Sequence, residues 1–262
     1  MIAGPLLAAL FVAQVSDADS LRLLAMRLPE SALVIEARAR PLVTREALND
    51  ALTQSVKGKA EALTVARRLA NAYALAWADS FLVREVNRFA AWPVARRAGK
   101  VWADSVRRAG IAAYGRDGPR AAIRVWRRAL ARSAAIGDSA GMAAARGNIG
   151  AGLWREGLLD SAEVYLERSR RTAAAIGDLR VEANAIGALA NVSADRGDLA
   201  AAREYHARSL SIRERIGDTR GAAADLNNLG LLAQEIGDLE EARRQFEAAL
   251  ALNRRDGRDE IA

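Results

Sequence analysis

The sequence predicts an all-α fold of stacked helix pairs, and three observations predict it. The first is a repeat. Ile136-Gly137-Asp138 returns as Ile176-Gly177-Asp178 and as Ile216-Gly217-Asp218, a step of 40 residues, and Gly257 falls on the next step. The second is a pair of columns in the same register: Ala122, Ala162, Ala202 and Ala242, and Trp126, Leu166, His206 and Phe246. The third is the apolar spacing between these markers. In the last repeat Leu229, Ala233 and Ile236 make one stripe, and Ala242, Phe246, Ala249 and Leu250 another. Stripes at that spacing belong to helices that must bury one side against a neighbour. A fixed period of this size marks a solenoid, in which each repeat contacts only the next.

Each element of one repeat has its own warrant. Gly177 followed by Asp178 is a stop and a start. Glycine takes the left-handed conformation that closes a helix, and Asp accepts from the free N–H groups of the helix that follows. Its charge also suits that end of the helix dipole. The first helix is predicted over 179–196, Gly197-Asp198 repeats the punctuation, and the second helix runs to about Ile216. Gly157 and Gly237-Asp238 mark the same turn in neighbouring repeats, and Gly118-Pro119 marks it in the first, with proline where its missing N–H costs nothing. No proline follows Pro119 to break the later helices. Gly110, Gly150, Ala190 and Gly230 on first helices, with the Ala122 column on second helices, place small residues where two axes approach closely.

Taken in order, the chain opens with an uncharged apolar run of 14 residues, 2–15, too short to span a bilayer. Ser16-Asp17-Ala18 after it has the small-x-small form of a cleavage site, so 1–18 reads as a signal peptide; the other reading is a buried first helix. Residues 19–98 lack the markers and read as a divergent helical cap, with helices over 33–40, 44–56, 60–78 and 80–90 and breaks at Pro41 and Pro93. Leu69-Ala70 and Tyr73 have the look of a first helix whose glycine turn is missing. Four repeats follow, 99–138, 139–178, 179–218 and 219–258, and the array is expected to continue past Ala262.

Leu229-Gly230, Gly237-Asp238, Ala242, Phe246 and Ala249 resemble the tetratricopeptide repeat, as do Ile149-Gly150, Leu153, Gly157, Ala162 and Leu166. Ser193 and Ala233 at the aromatic position, His206 at the Phe position and the 40-residue period depart from the family's repeat of about 34. The longer period resembles the subclass of kinesin light chains and bacterial signalling arrays. The resemblance implies a right-handed superhelix whose first helices line a concave surface. It also implies that Asn in the Asn-Leu-Gly context touches bound peptide; Asn148 and Asn228 match that position and Ala188 does not.

Composition excludes several chemistries. There is no cysteine, so no disulfide, thiolate metal site or thiol chemistry is available. With one histidine, His206, a Ser-His-Asp triad would have to use a residue that takes a large core position. The acidic residues read as solvated helix faces without metal-ligand spacing. Gly147-Asn148-Ile149-Gly150-Ala151-Gly152 resembles a phosphate loop only superficially, because such loops need a strand before them. No cofactor and no catalysis are expected.

Two sets of residues are candidates for binding. Asn148, Trp154, Arg155, Asn184, Asn191, Asn227, Asn228 and Gln234 lie on first helices. Their amides offer donor and acceptor together, which suits an extended peptide backbone; the alternative is that they bond to neighbouring turns. Arg120, Arg124, Arg127 and Arg128 share one helix face within a stretch, 96–132, that holds eleven Lys or Arg and two Asp. That face reads as a site for an acidic partner or as a solvated outer surface. The chain carries 36 Arg and three Lys and a net charge of +7, yet no nucleic-acid motif accompanies the patch, so nucleic acid is not the expected partner.

The function expected is a protein-binding scaffold. The leader, the divergent helices and the Ile-Gly-Asp repeats together resemble the N-terminal half of bacterial proteins that end in a caspase-like CHAT peptidase domain. Alternatives are a regulatory array of a cytoplasmic signalling ATPase or transcription regulator, and a nucleic-acid-binding solenoid using the arginines. A leader implies export, to the periplasm or beyond; without it the chain stays cytoplasmic.

Overall fold

The computed structural model describes residues 17–255, and every regular element among them is a helix. The chain divides into two compact units between Arg97 and Ala98. The expected leader falls on residues outside the described ones except for Asp17 and Ala18, which open the first helix.

The N-terminal unit holds α1 (Asp17–Arg27), α2 (Glu30–Ala39), α3 (Pro41–Val56), α4 (Ala62–Trp77) and α5 (Phe81–Ala91). Helix α1 is missing from the sequence reading, although Asp17 and Asp19 in its first turn and Arg27 in its last suit the helix dipole. Helix α4 packs against the other four. It can do so because alanines surround its large residues: Val65, Leu69 and Tyr73 are buried together with Ala66, Ala70, Ala72 and Ala76.

The glycine turn that seemed to be missing after α4 is present with another residue. Ala78 takes the left-handed conformation, φ 51°, and Asp79 accepts from the N–H of Phe81 at 2.9 Å. Ala78 lies 40 residues before Gly118, whose φ is 80°. Ala70, Leu82 and Val86 lie 40 residues before Gly110, Ala122 and Trp126, and all six are buried. The hairpin of α4 and α5 therefore follows the register of the repeats, with alanine standing where glycine would have announced it.

The C-terminal unit takes α6 (Val94–Ala135) from Ala98 onward, then α7 (Ser139–Arg155), α8 (Leu159–Ile176), α9 (Leu179–Asp195), α10 (Leu199–Arg215), α11 (Thr219–Glu235) and α12 (Leu239–Arg255). Gly118, at φ 80° and ψ −179°, breaks α6 into two arms ahead of Pro119. The later helices pair as antiparallel hairpins, α7 with α8, α9 with α10 and α11 with α12. Each hairpin packs on the next, so the unit is an α-solenoid of helix pairs.

The turns are built alike. Gly137, Gly157, Gly177, Gly197, Gly217 and Gly237 all have φ between 64° and 82°. The N–H after each glycine bonds a carbonyl five residues back, as from Asp178 to Ala173 at 2.9 Å and from Asp218 to Arg213 at 2.9 Å, the Schellman closure. Asp178, Asp198, Asp218 and Asp238 then cap the next helix, accepting from the N–H of Val181, Ala201, Gly221 and Glu241 at 3.0–3.2 Å. Asp138 makes no such cap; its carboxylate takes the ammonium of Lys100 at 3.0 Å, buried.

The small and large columns meet inside each hairpin. A Cβ on Gly110 would lie 2.3 Å from Trp126, one on Gly150 2.6 Å from Leu166, and one on Gly230 2.6 Å from Phe246. The stretch that resembled a phosphate loop lies within α7, and its glycines are packing surfaces: Gly150 faces Leu166 and Gly152 faces Ile123 and Trp126. These side chains belong to a core that runs through Ile149, Leu153, Leu189 and Val192.

Candidate functional site

The amide side chains of the first helices fall into rows set by the repeat. Asn148 on α7, Ala188 on α9 and Asn228 on α11 form one row; Ala144, Asn184 and Ala224 form a second, and Ala151, Asn191 and Leu231 a third. Within each helix these positions are four and three residues apart, so they share a face. Helices α7 and α9 pack side by side, which makes the face continuous between them. Asn184, Asn227 and Gln234 are exposed, whereas Asn148, Asn191 and Asn228 are half-buried. None of these six amides forms a hydrogen bond among the described residues, and the Nδ2 of Asn148 is shut off from solvent without a partner. Bonding to neighbouring turns therefore does not account for them. Alanine at most of the other positions leaves the face shallow enough for a backbone to approach.

Trp154 and Arg155 belong to a different arrangement. The indole Nε1 of Trp154 donates to the Asp195 carboxylate at 2.7 Å, and the Arg155 guanidinium lies 4.2 Å from the centre of the Trp154 ring. Trp154 is also packed against the core. Trp154 thereby ties α7 to α9, with Arg155 stacked on its ring.

The four arginines all lie on the second arm of α6 and all are exposed. The structure divides them. Arg120, Arg124 and Arg127 line a groove of about 340 Å³ over Ile123, Leu153 and Leu158, and Arg128 does not. Arg120 pairs with Glu156 at one end, and that hydrogen bond holds its guanidinium above the usual range. Arg124 and Arg127 have no hydrogen-bond or ion partner among the described residues.

The repeat places equivalent positions at two further steps. One step on, Arg196 occupies the position of Glu156 and pairs with Asp160 at 2.6 Å and Glu163 at 2.7 Å, so the polarity of the clasp is reversed. The bond to Glu163 is the main cause that raises the Arg196 pKa. At the third step Ala200 and Ile236 replace the pair, and a pocket of about 360 Å³ opens over Leu229, Leu232 and Ala233, with Arg203, Asp238 and Glu241 also in its lining.

The sequence reading missed a buried ionic network. His206 is 2% exposed, with Nδ1 at 3.0 Å from the Asp225 carboxylate. Arg213 donates Nε to Asp225 at 2.8 Å and Nη1 to Asp218 at 2.7 Å. Ser209 joins it, accepting from Arg213 at 3.1 Å and donating to the carbonyl of Ala183 at 3.1 Å. His206 is the packed residue expected, but the acidic residues are not all solvated faces: Asp138, Asp178, Asp218, Asp225 and Glu182 are buried. Burial forces pairing because a lone charge there would cost several kcal/mol on the usual order of magnitude. In this network that makes a rivet between α10 and α11 with no open side for a substrate.

No group of three or more His, Asp or Glu able to hold a metal occurs among the described residues, and no helix among them is long and apolar enough to cross a membrane.

Residues 181–255 match the tetratricopeptide repeat family. No curated protein matches the sequence. Among solved structures the chain is similar to BtubC (BKLC) from P. vanneervenii, at 17% identity over 92% of this chain and 93% of that one, with a TM-score of 0.49. It is also similar to a putative kinesin light chain with nearly identical TPR-like repeats from Podospora anserina, at 15% identity over 85% and 99%, with a TM-score of 0.44. A third is MamA, at 20% identity over 59% and 80%, with a TM-score of 0.43.

Proposed function

We propose, from the premise that residues 181–255 are tetratricopeptide repeats, that the chain is a protein-interaction scaffold holding an extended peptide along α7, α9 and α11. The observation that carries this reading is the set of uncommitted amides: Asn148, Asn184, Asn191, Asn227, Asn228 and Gln234 have no partner among the described residues and lie beside a row of alanines. A peptide backbone supplies the acceptors and donors that such side chains lack, without demanding a particular sequence. The reading extends to the regulatory half of a larger protein, for which the sequence resemblance to arrays preceding CHAT peptidase domains is the support.

The test is a peptide array probed with the full chain. Peptides retained by the wild type should lose binding to Asn148→Ala with Asn228→Ala. Each lost hydrogen bond costs about 1 kcal/mol, so the pair should weaken binding roughly thirtyfold. Binding of this kind changes little with salt, and Arg124→Ala with Arg128→Ala should leave it nearly intact. Loss in the arginine variant with none in the asparagine variant would remove the first-helix face from the function.

A further inference from the structure

The groove on α6 differs from the same positions in the next two repeats in what it lacks. At the step between α8 and α9–α10, the chain's own carboxylates, Asp160 and Glu163, meet Arg196. At the step between α10 and α11–α12, the site is lined mainly by apolar side chains. At the first step Arg120 is answered by Glu156, while Arg124 and Arg127 stand over an apolar floor and pair with no carboxylate among the described residues. The volume, about 340 Å³, lies at the small end of the range of about 300–1,000 Å³ for ligand sites. That suits one bulky side chain and the groups on either side of it.

The geometry points to an acidic, leucine-bearing segment of a partner protein as the occupant of this groove. Its apolar side chain seats on Ile123, Leu153 and Leu158, and its flanking carboxylates take Arg124 and Arg127. Leu158, 53% exposed, is the accessible part of that floor. A guanidinium bonds strongly to carboxylates, and one repeat further on Arg196 already takes two of them, with one bond each to Asp160 and Glu163. Nucleic acid fits less well. No aromatic lines the groove for a base to stack on. The site is separate from the first-helix face and does not depend on it.

The experiment uses the full chain and a fluorescein-labelled nine-residue peptide with a central leucine between glutamate pairs, followed by fluorescence polarisation at low salt. The peptide should bind, and binding should fall with salt as exposed charges are screened. Arg124→Glu and Arg127→Glu should each weaken it about fivefold or more, while Arg128→Glu, the same charge change outside the groove, should weaken it less than about twofold. Leu158→Ser, and a peptide with serine for its leucine, should each weaken binding to a similar degree. Circular dichroism verifies that the variants stay folded. Equal loss in all three arginine variants, equal affinity for the serine peptide, or absence of binding would overturn the proposal. So would a twenty-residue oligothymidylate that binds more tightly than the peptide, or sedimentation showing that the wild type self-associates and Arg124→Glu does not.

Discussion

Asp225 joins the two sides of the buried network, 3% exposed between His206 and Arg213. Removing it takes one of two carboxylates from the buried Arg213 guanidinium, leaving Asp218, and takes the bond from His206, so Asp225→Ala should cost about 3 kcal/mol, read from a urea midpoint. The chain carries its own template for the repair. One repeat earlier the same positions hold Leu166, Ala173, Ala185 and Val181, all in a well-packed interface. Copying them, as His206→Leu, Arg213→Ala, Asp225→Ala and Gly221→Val together, should return stability to within about 1 kcal/mol of the wild type, because an apolar replacement of a buried ion pair is often neutral. A quadruple variant as unstable as the single one would show that the network contributes more than its own compensation. This network was only half legible in the sequence. His206 stands in the large-residue column and so reads as packed. Its partners are 7 and 19 residues away, at positions that hold Ala173 and Ala185 one repeat earlier, and a column that varies carries no periodic signal.

At the scale of the element, α6 tests the close-approach argument on one helix. Gly110 faces Trp126, whose ring is buried and tied by its Nε1 to the carbonyl of Arg107 at 3.1 Å, so it cannot move aside cheaply. Gly110→Ala gains about 1 kcal/mol of helix propensity and loses about 1–3 kcal/mol to overpacking, so it should destabilise. Gly115 has nothing within 4 Å of where a Cβ would sit, and Gly115→Ala should stabilise by about 0.5–1 kcal/mol. Opposite shifts in thermal midpoint check this; shifts of the same sign would remove the steric account. The elements themselves were mostly legible, because glycine and aspartate mark the turns chemically. The exception is Ala78: an alanine in the left-handed conformation costs about 1–2 kcal/mol and leaves no trace in a sequence scan.

Across the whole array, stability depends on neighbours. Helix α10 packs against both α9 and α11, whereas α12 packs chiefly against α11 and leaves Leu239 67% and Leu250 45% exposed. Hydrogen exchange should show α12 opening before α10, and equal protection would argue against nearest-neighbour stability. At this scale the sequence displayed the candidate faces but not how far each residue was committed. The asparagines and arginines were visible from spacing alone, while the bond from Trp154 to Asp195 and the split between Arg127 and Arg128 depend on contacts between repeats. The buried network also bears on how such an array can evolve. Recombination that drops one unit of 40 residues keeps every helix and turn in phase, and in most solenoids would pass as a harmless change of length. Loss of 179–218 would instead bring Asp225 against Leu166 and Ala173, a carboxylate without a cation. The third and fourth repeats therefore depend on each other in a way their shared period does not show, and a deletion is better tolerated where the interface between neighbours is uncharged.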